Sequence, residues 1–254
     1  MCLEAGGFLT TNPAVASGTN SIALGDGASA AGTKSIAIGY DLYTSTDDGT
    51  TAIGSAVTAS GHTAVAIGTQ AKANGYQSLA LGSLAAADGF AATAFGAYGK
   101  AEADLSTAFG NGASIRSSYG VGIGASTEAE GGTGCVAIGG NAKAYGDYSV
   151  AIGRQAGTTY NYANQIVIGA GSTSTGTNEI IIGSGSLSYG ANTTHIGNSA
   201  TTHTYLEGIV SGSNLVANDT DTYTSTAVVQ QMVTLTAAEY SGLTPDANTF
   251  YIVI

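Results

Sequence analysis

The sequence predicts an all-β fold: a parallel β-roll, or solenoid, of 14-residue coils. Three observations lead there. A strand-like pentad recurs along most of the chain. Its closing glycines are almost evenly spaced. The composition suits a repeat better than a globule, with 39 Gly in 254 residues and only 9% charged residues, against roughly 25% in an ordinary soluble domain.

The pentad reads SIALG at 21–25, SIAIG at 35–39, AVAIG at 64–68, SLALG at 78–82, STAFG at 106–110 and SVAIG at 149–153. QIVIG at 165–169 and EIIIG at 179–183 continue the series, and the last copy closes at Gly197. Nine of the twelve spacings between closing glycines are 14; two are 15 and one is 16. A weaker half-motif of small residues lies between pentads, as in Ala71, Ala73 and Gly75 or Ala142, Ala144 and Gly146. Both segments alternate with period 2, the strand signature. Glycine at their ends permits a left-handed corner. One such unit cannot bury its own apolar face, so the units must stack. At about 4.8 Å per rung, thirteen coils give a rod of roughly 60 Å.

The pentad columns suggest which side is buried. Ile22, Ile36, Val65 and Leu79, with Leu24, Ile38, Ile67 and Leu81 two places on, share one face. They are expected to fill the coil interior. The intervening column is then outward: Ala23, Ala37, Ala52, Ala66, Ala80, Ala94, Ala108, Ala137 and Ala151, with Gly122 among them. A solvent-facing strand column is normally polar. An outward column of alanines is therefore expected to be an inter-chain seam in a homo-oligomer. A bulky charge at Ala80 or Ala94 should then break the oligomer and leave distant coils folded.

Three segments follow: an N-terminal tail at 1–10, the roll at 11–208, and a C-terminal capping or docking module at 209–254. In the last, Thr236-x-x-Glu239 has the capping-box pattern of a helical turn at about 237–242. TFYIVI at 249–254 reads as a final strand.

Composition excludes several functions. Six Lys+Arg against 17 Asp+Glu give a formal charge of −11, so no basic stripe for nucleic acid exists. No apolar run reaches 18 residues, so no membrane-inserting helix is expected. The opening MCLEAGGFLTTNPAV does not read as a secretory signal. No nucleophile elbow or His-Glu-x-x-His helix occurs, so the chain reads as a non-enzyme without catalytic residues or cofactor. His62, His195 and His203 share no obvious ligand spacing, and no metal site is assigned. Asp47-Asp48 and the pair Glu128 and Glu130 read as solvated acids, although cation binding at Asp47-Asp48 stays open. Cys135 stands where other coils carry serine and reads as a small packing substitute. Eight tyrosines fall in corners and connections: Tyr76, Tyr98, Tyr119, Tyr145, Tyr148, Tyr160, Tyr162 and Tyr189. They are candidates for surface contact with a glycan or receptor, against ordinary corner packing.

The segments AVAIGTQAKANGYQSLALG at 64–82 and SVAIG at 149–153, with AKAYG before it, resemble the head repeat of YadA-like trimeric adhesins. The resemblance spans about residues 11–204. It implies a left-handed parallel β-roll of three chains. LTAAEYSGLTPDANTFYIVI at the C-terminus resembles the ends of phage tail-fibre and virion proteins, and GNSATTHTYLEG at 197–208 also looks like fibre sequence. Together these imply a homotrimeric structural and binding protein of a phage tail fibre or virion appendage. Its partners would be other virion proteins or a host-surface receptor or glycan. The alternative is the head of a bacterial trimeric autotransporter adhesin at the cell surface. A third reading, an ice-binding solenoid, lacks the regular Thr-x-Thr ladder it needs.

Overall fold

The structure is a computed structural model, and it describes residues 3–5, 12–44, 46–159, 162–201, 231–235, 240–242 and 249–253. The chain divides into two compact units, Met1–Thr204 and Tyr205–Ile254.

The first unit is the expected parallel β-solenoid. Each pentad forms one strand of a 14-stranded parallel sheet, the long sheet, running from Leu3–Ala5 through Ile22–Leu24 to Thr194–Ile196. The half-motifs form a 10-stranded parallel sheet, the short sheet, from Val15–Ala16 to Lys143–Tyr145. Successive coils pair in exact repeat register: Ala66 lies beside Ala80, Ala80 beside Ala94, and Ala94 beside Ala108. Leu3–Ala5 pairs with Ile22–Leu24, so the segment expected to be a tail contributes the first rung. In the second unit, Gln231–Leu235 pairs in parallel with Thr249–Val253, which accounts for the expected final strand. Tyr240 and Ser241 are helical and Gly242 turns, while the remainder of the expected helical turn lies outside the described residues.

The orientation of the pentads is the reverse of the expectation. Ala23, Ala37, Ala52, Ala66, Ala80, Ala94, Ala108, Ala137 and Ala151 are fully buried inside their own chain. They meet the short sheet's Ala30, Ala59, Ala73, Ala87, Ala101, Ala129 and Ala144 in one core. A side chain already enclosed by its own coil cannot be an inter-chain seam. The large aliphatic columns face outward instead. Coil thickness is the cause. The two strands of one coil lie so close that only Ala, Ser, Gly and an occasional larger residue fit between them. Size, rather than hydrophobicity, selects what goes inside.

Local compensation supports that reading. Ile115 is a large residue in the core column of the short sheet, and opposite it stands Gly122 where other coils have alanine. A Cβ added at Gly122 would lie 2.1 Å from Ile115 Cδ1. The serine column is polar and satisfied in part: Ser21 and Ser35 each donate to the carbonyl three residues back at 2.7 Å, whereas the buried hydroxyls of Thr50 and Ser78 have no partner among the described residues. Cys135 occupies that column, with Sγ 3.0 Å from the Gly146 carbonyl oxygen; burial raises its thiol pKa. This is the expected packing substitute.

Each coil turns at two edges. The first edge precedes the long-sheet strand, and the second follows its closing glycine. Gly39 shows why that glycine recurs: its φ is +138°, and a Cβ there would lie 1.8 Å from the Gly54 carbonyl oxygen in the next coil. The left-handed corner residues themselves are mostly not glycine. Gln77, Leu105, Tyr119 and Tyr148 adopt φ of 57°, 56°, 58° and 54° at the first edge. Their N–H groups bond to the preceding coil, as Gln77 does to the His62 carbonyl at 2.8 Å. These bonds in the stack stabilise a conformation that side chains ordinarily avoid.

Candidate interaction surfaces

The outward face of the long sheet is the most unusual surface of the first unit. Two columns run along it, Ile22, Ile36, Val65 and Leu79 in the near column and Leu24, Ile38, Ile67 and Leu81 in the far column, and they continue to Thr194 and Ile196. No charged residue occupies either column from coil to coil. Most of these side chains are half-buried, but Phe95 is 40% and Phe109 49% exposed. The two rings stack at 4.6 Å between centroids, 6° from parallel. A continuous aliphatic face of this length exceeds the scattered apolar residues normal on a monomer.

The outward face of the short sheet is its chemical opposite. Four of the six basic residues of the chain, Lys72, Lys100, Arg116 and Lys143, project there. Acids alternate with them. Arg116 pairs with Glu102 at 2.9 Å and also with Glu130. Lys143 lies 3.2 Å from Glu128, which also accepts a hydrogen bond from the Tyr145 hydroxyl. Burial alone would raise the Glu128 pKa, but Tyr145, Lys143 and Arg116 more than offset it, and the carboxyl is held below its usual range. Ser60, Asn74 and Asp88 extend the polar ladder, with Asn74 donating to Asp88 at 2.7 Å. Where this sheet ends, a shallow hollow of about 510 Å³ is lined by Asn141, Lys143, Gln155, Thr158 and Thr173.

The candidate tyrosines separate into different settings. Tyr76, Tyr119 and Tyr148 lie on the first edge, exposed. They share it with His62, Phe90 and Leu105. His62 stacks on Tyr76 at 5.0 Å, and Tyr76 on Phe90 at 5.5 Å. Tyr98 lies on the second edge. Tyr145 is half-buried on the short-sheet strand Lys143–Tyr145 and is engaged with Glu128. Tyr162 and Tyr189 are exposed in later connections; Tyr189 packs edge-on against His195 at 4.3 Å. Tyr160 and His203 lie outside the described residues. Counting tyrosine alone obscured the edge ladder, because Tyr76 stacks between His62 and Phe90 at 14-residue spacing, and Leu105 stands one coil before Tyr119 in the adjacent column.

One buried carboxylate escaped the sequence reading. Glu179 stands in the serine column and is fully buried. It accepts hydrogen bonds from Ser174 Oγ at 2.7 Å and from the Thr175 and Gly176 N–H groups, both at 3.1 Å. Across the coil it accepts hydrogen bonds from Ser188 Oγ at 2.8 Å and from the Tyr189 N–H at 2.7 Å. Burial pushes its pKa up, but the hydroxyls of Ser174 and Ser188 and the N–H groups of Tyr189 and Thr175 hold it at about 2. Glu179 replaces the lost short-sheet strand as the organiser of its coil. Among the described residues no group of three or more His, Cys, Asp or Glu is placed to hold a metal ion.

The repeat points to a class: residues 16–41, 59–85 and 131–156 match the YadA head domain repeat, so these stretches of the roll are similar to YadA-type head repeats. Among solved structures, the chain is similar to the collagen-binding domain of the Yersinia adhesin YadA, at 24% identity over 87% of this chain and 90% of that one, with a TM-score of 0.28. No curated protein matches the sequence.

Proposed function

We propose that this chain is a non-enzymatic binding rod of the adhesin-head type, exposed outside the cell and assembled from three parallel copies. The uncharged aliphatic face of the long sheet is the observation that carries the reading. Water exposure along that face would be costly at about 25 cal/mol per Å², and covering it with other copies removes that cost. Alanines do not space the chains, as the sequence pattern had suggested; the large aliphatics join them. The charged short-sheet faces then point outward in each copy and present ladders of paired charges to a host-surface ligand.

The YadA-type repeats support attachment as the activity, and the collagen-binding domain of the Yersinia adhesin makes a matrix protein the first ligand to test. Purified protein should bind immobilised fibrillar matrix protein. Substitutions on the short-sheet face, such as Lys100→Glu with Arg116→Glu, should reduce that binding at unchanged oligomeric mass. Absence of binding to matrix proteins, with binding to intact bacterial cells instead, would favour the phage-fibre reading, which rests on the sequence resemblance of 197–208 and the C-terminal segment.

A further inference from the structure

The surface bordering the long sheet is asymmetric. Along the first edge, Tyr76, Phe90, Leu105 and Tyr119 are all exposed in consecutive coils. The second edge at the same heights carries Leu84 and Tyr98, then Gly112 and Ser126. The columns between the edges also differ. In the coils of Phe95 and Phe109 the near column shortens to Thr93 and Thr107. Across these coils the profile is bulky edge, short threonine column, bulky phenylalanine column.

From this relief we infer that the Phe95–Phe109 stack of one copy seats in the trough of a second copy, over its Thr93 and Thr107 and against its Phe90 and Leu105. The inference rests on the three-chain reading above and adds which parts of the face meet. The stacked phenylalanines are a ridge, and the trough is the matching groove on the same molecule. A ridge on one side and a groove on the other make a heterologous contact, which closes into a ring rather than a two-fold pair. A rotation axis parallel to the roll keeps every coil at its own height. Coil therefore meets the same coil, and Leu105 of one copy faces Phe109 of the next.

Self-complementary relief supports a second copy as the occupant: ridge and trough lie on the same uncharged face, so each copy offers both halves of the contact. The aliphatic face is about 60 Å long and about 10 Å wide, roughly 600 Å² from rung spacing and strand rise. In a ring of three that face is shared between two neighbours, about 300 Å² each, against about 800 Å² per partner in a standard interface, so the edge side chains must contribute area as well. The ring faces of the edge ladder are also occupied by mutual stacking at 5.0 and 5.5 Å. Their edges remain for contact, which suits apolar packing better than a sugar laid on a ring face.

Disulfide trapping tests this. Leu105→Cys and Phe109→Cys are combined in a Cys2→Ser background, with Cys135 left buried. Within one chain Leu105 stands at the corner and Phe109 at the far end of the strand Thr107–Phe109, four residues and up to about 13 Å apart, beyond the reach of a disulfide. Mild oxidation should yield covalent trimers on a non-reducing gel from the double variant, and none from either single variant. Phe90→Cys with Phe95→Cys, one coil earlier, repeats the test should the first pair fold poorly. Uncrosslinked chains in a sample that light scattering shows to be trimeric would overturn the ridge-and-trough contact alone. Covalent species stopping at dimers would overturn the closed ring. A monomeric wild type would overturn the three-chain reading itself.

Discussion

The two outward faces of the roll share one alanine core and differ in the side chains they present. The long sheet presents uncharged aliphatic columns; the short sheet presents Lys72, Lys100, Arg116 and Lys143 among acids. Backbone pairing is the same on both sides, since each is a parallel ladder. The contrast therefore does not serve the folding of a single coil. Small residues in register hold the coil together, and the outward side chains decide what each face meets. In this architecture most small residues line the core, and most large apolar residues of the long-sheet strands face outward.

The largest effect should come from inside. Ala94→Asp places a charge in a fully buried column, where an unpaired ion costs several kcal/mol. Circular dichroism should show lost β-structure or a melting point lowered by about 10 °C or more. The outward-alanine expectation required a folded, dissociated chain instead. Next in size is the long face. Phe95→Glu with Phe109→Glu should dissociate the oligomer, removing about 2 kcal/mol of burial per ring, while the monomer keeps its strand signal.

Gly122→Ala should destabilise the roll by about 1–3 kcal/mol through overpacking against Ile115, and adding Ile115→Ala should recover part of it. Chemical denaturation of the two variants measures this. Glu179 provides a pH test. Its pKa is lowered from 4.5 to about 2, so its contribution is complete above pH 4.5 and is lost as pH falls toward 2. Glu179→Gln should flatten that part of the stability profile. The smallest effect belongs to the charged face: Arg116→Ala should change stability by no more than about 1 kcal/mol, because Arg116 is half exposed to solvent in its ion pairs with Glu102 and Glu130.

Much of the roll was legible in the sequence. The glycine interval located every long-sheet strand from Ile22–Leu24 to Thr194–Ile196. Alternation could not say which side faced inward, because both sides of the pentad are apolar. Size held the missing signal: Ala23 and Ala37 and the half-motif's Ala28 and Ala30 are all small, and a thin coil admits mainly such residues. The edge ladder was legible at 62, 76 and 90 once residue type was ignored. Glu179 was not, since a lone acid in a serine column reads as surface until the 174–176 and 188–190 backbones are seen closing on it.

The central claim is that the aliphatic face of the long sheet, and not the alanine column, joins the copies. Light scattering on the wild type and on the Phe95→Glu, Phe109→Glu variant tests it most directly. The wild type should scatter at about three times the 24.8 kDa chain mass, and the variant as a folded chain of single mass. A wild type at 24.8 kDa, or a variant that remains trimeric, would contradict it.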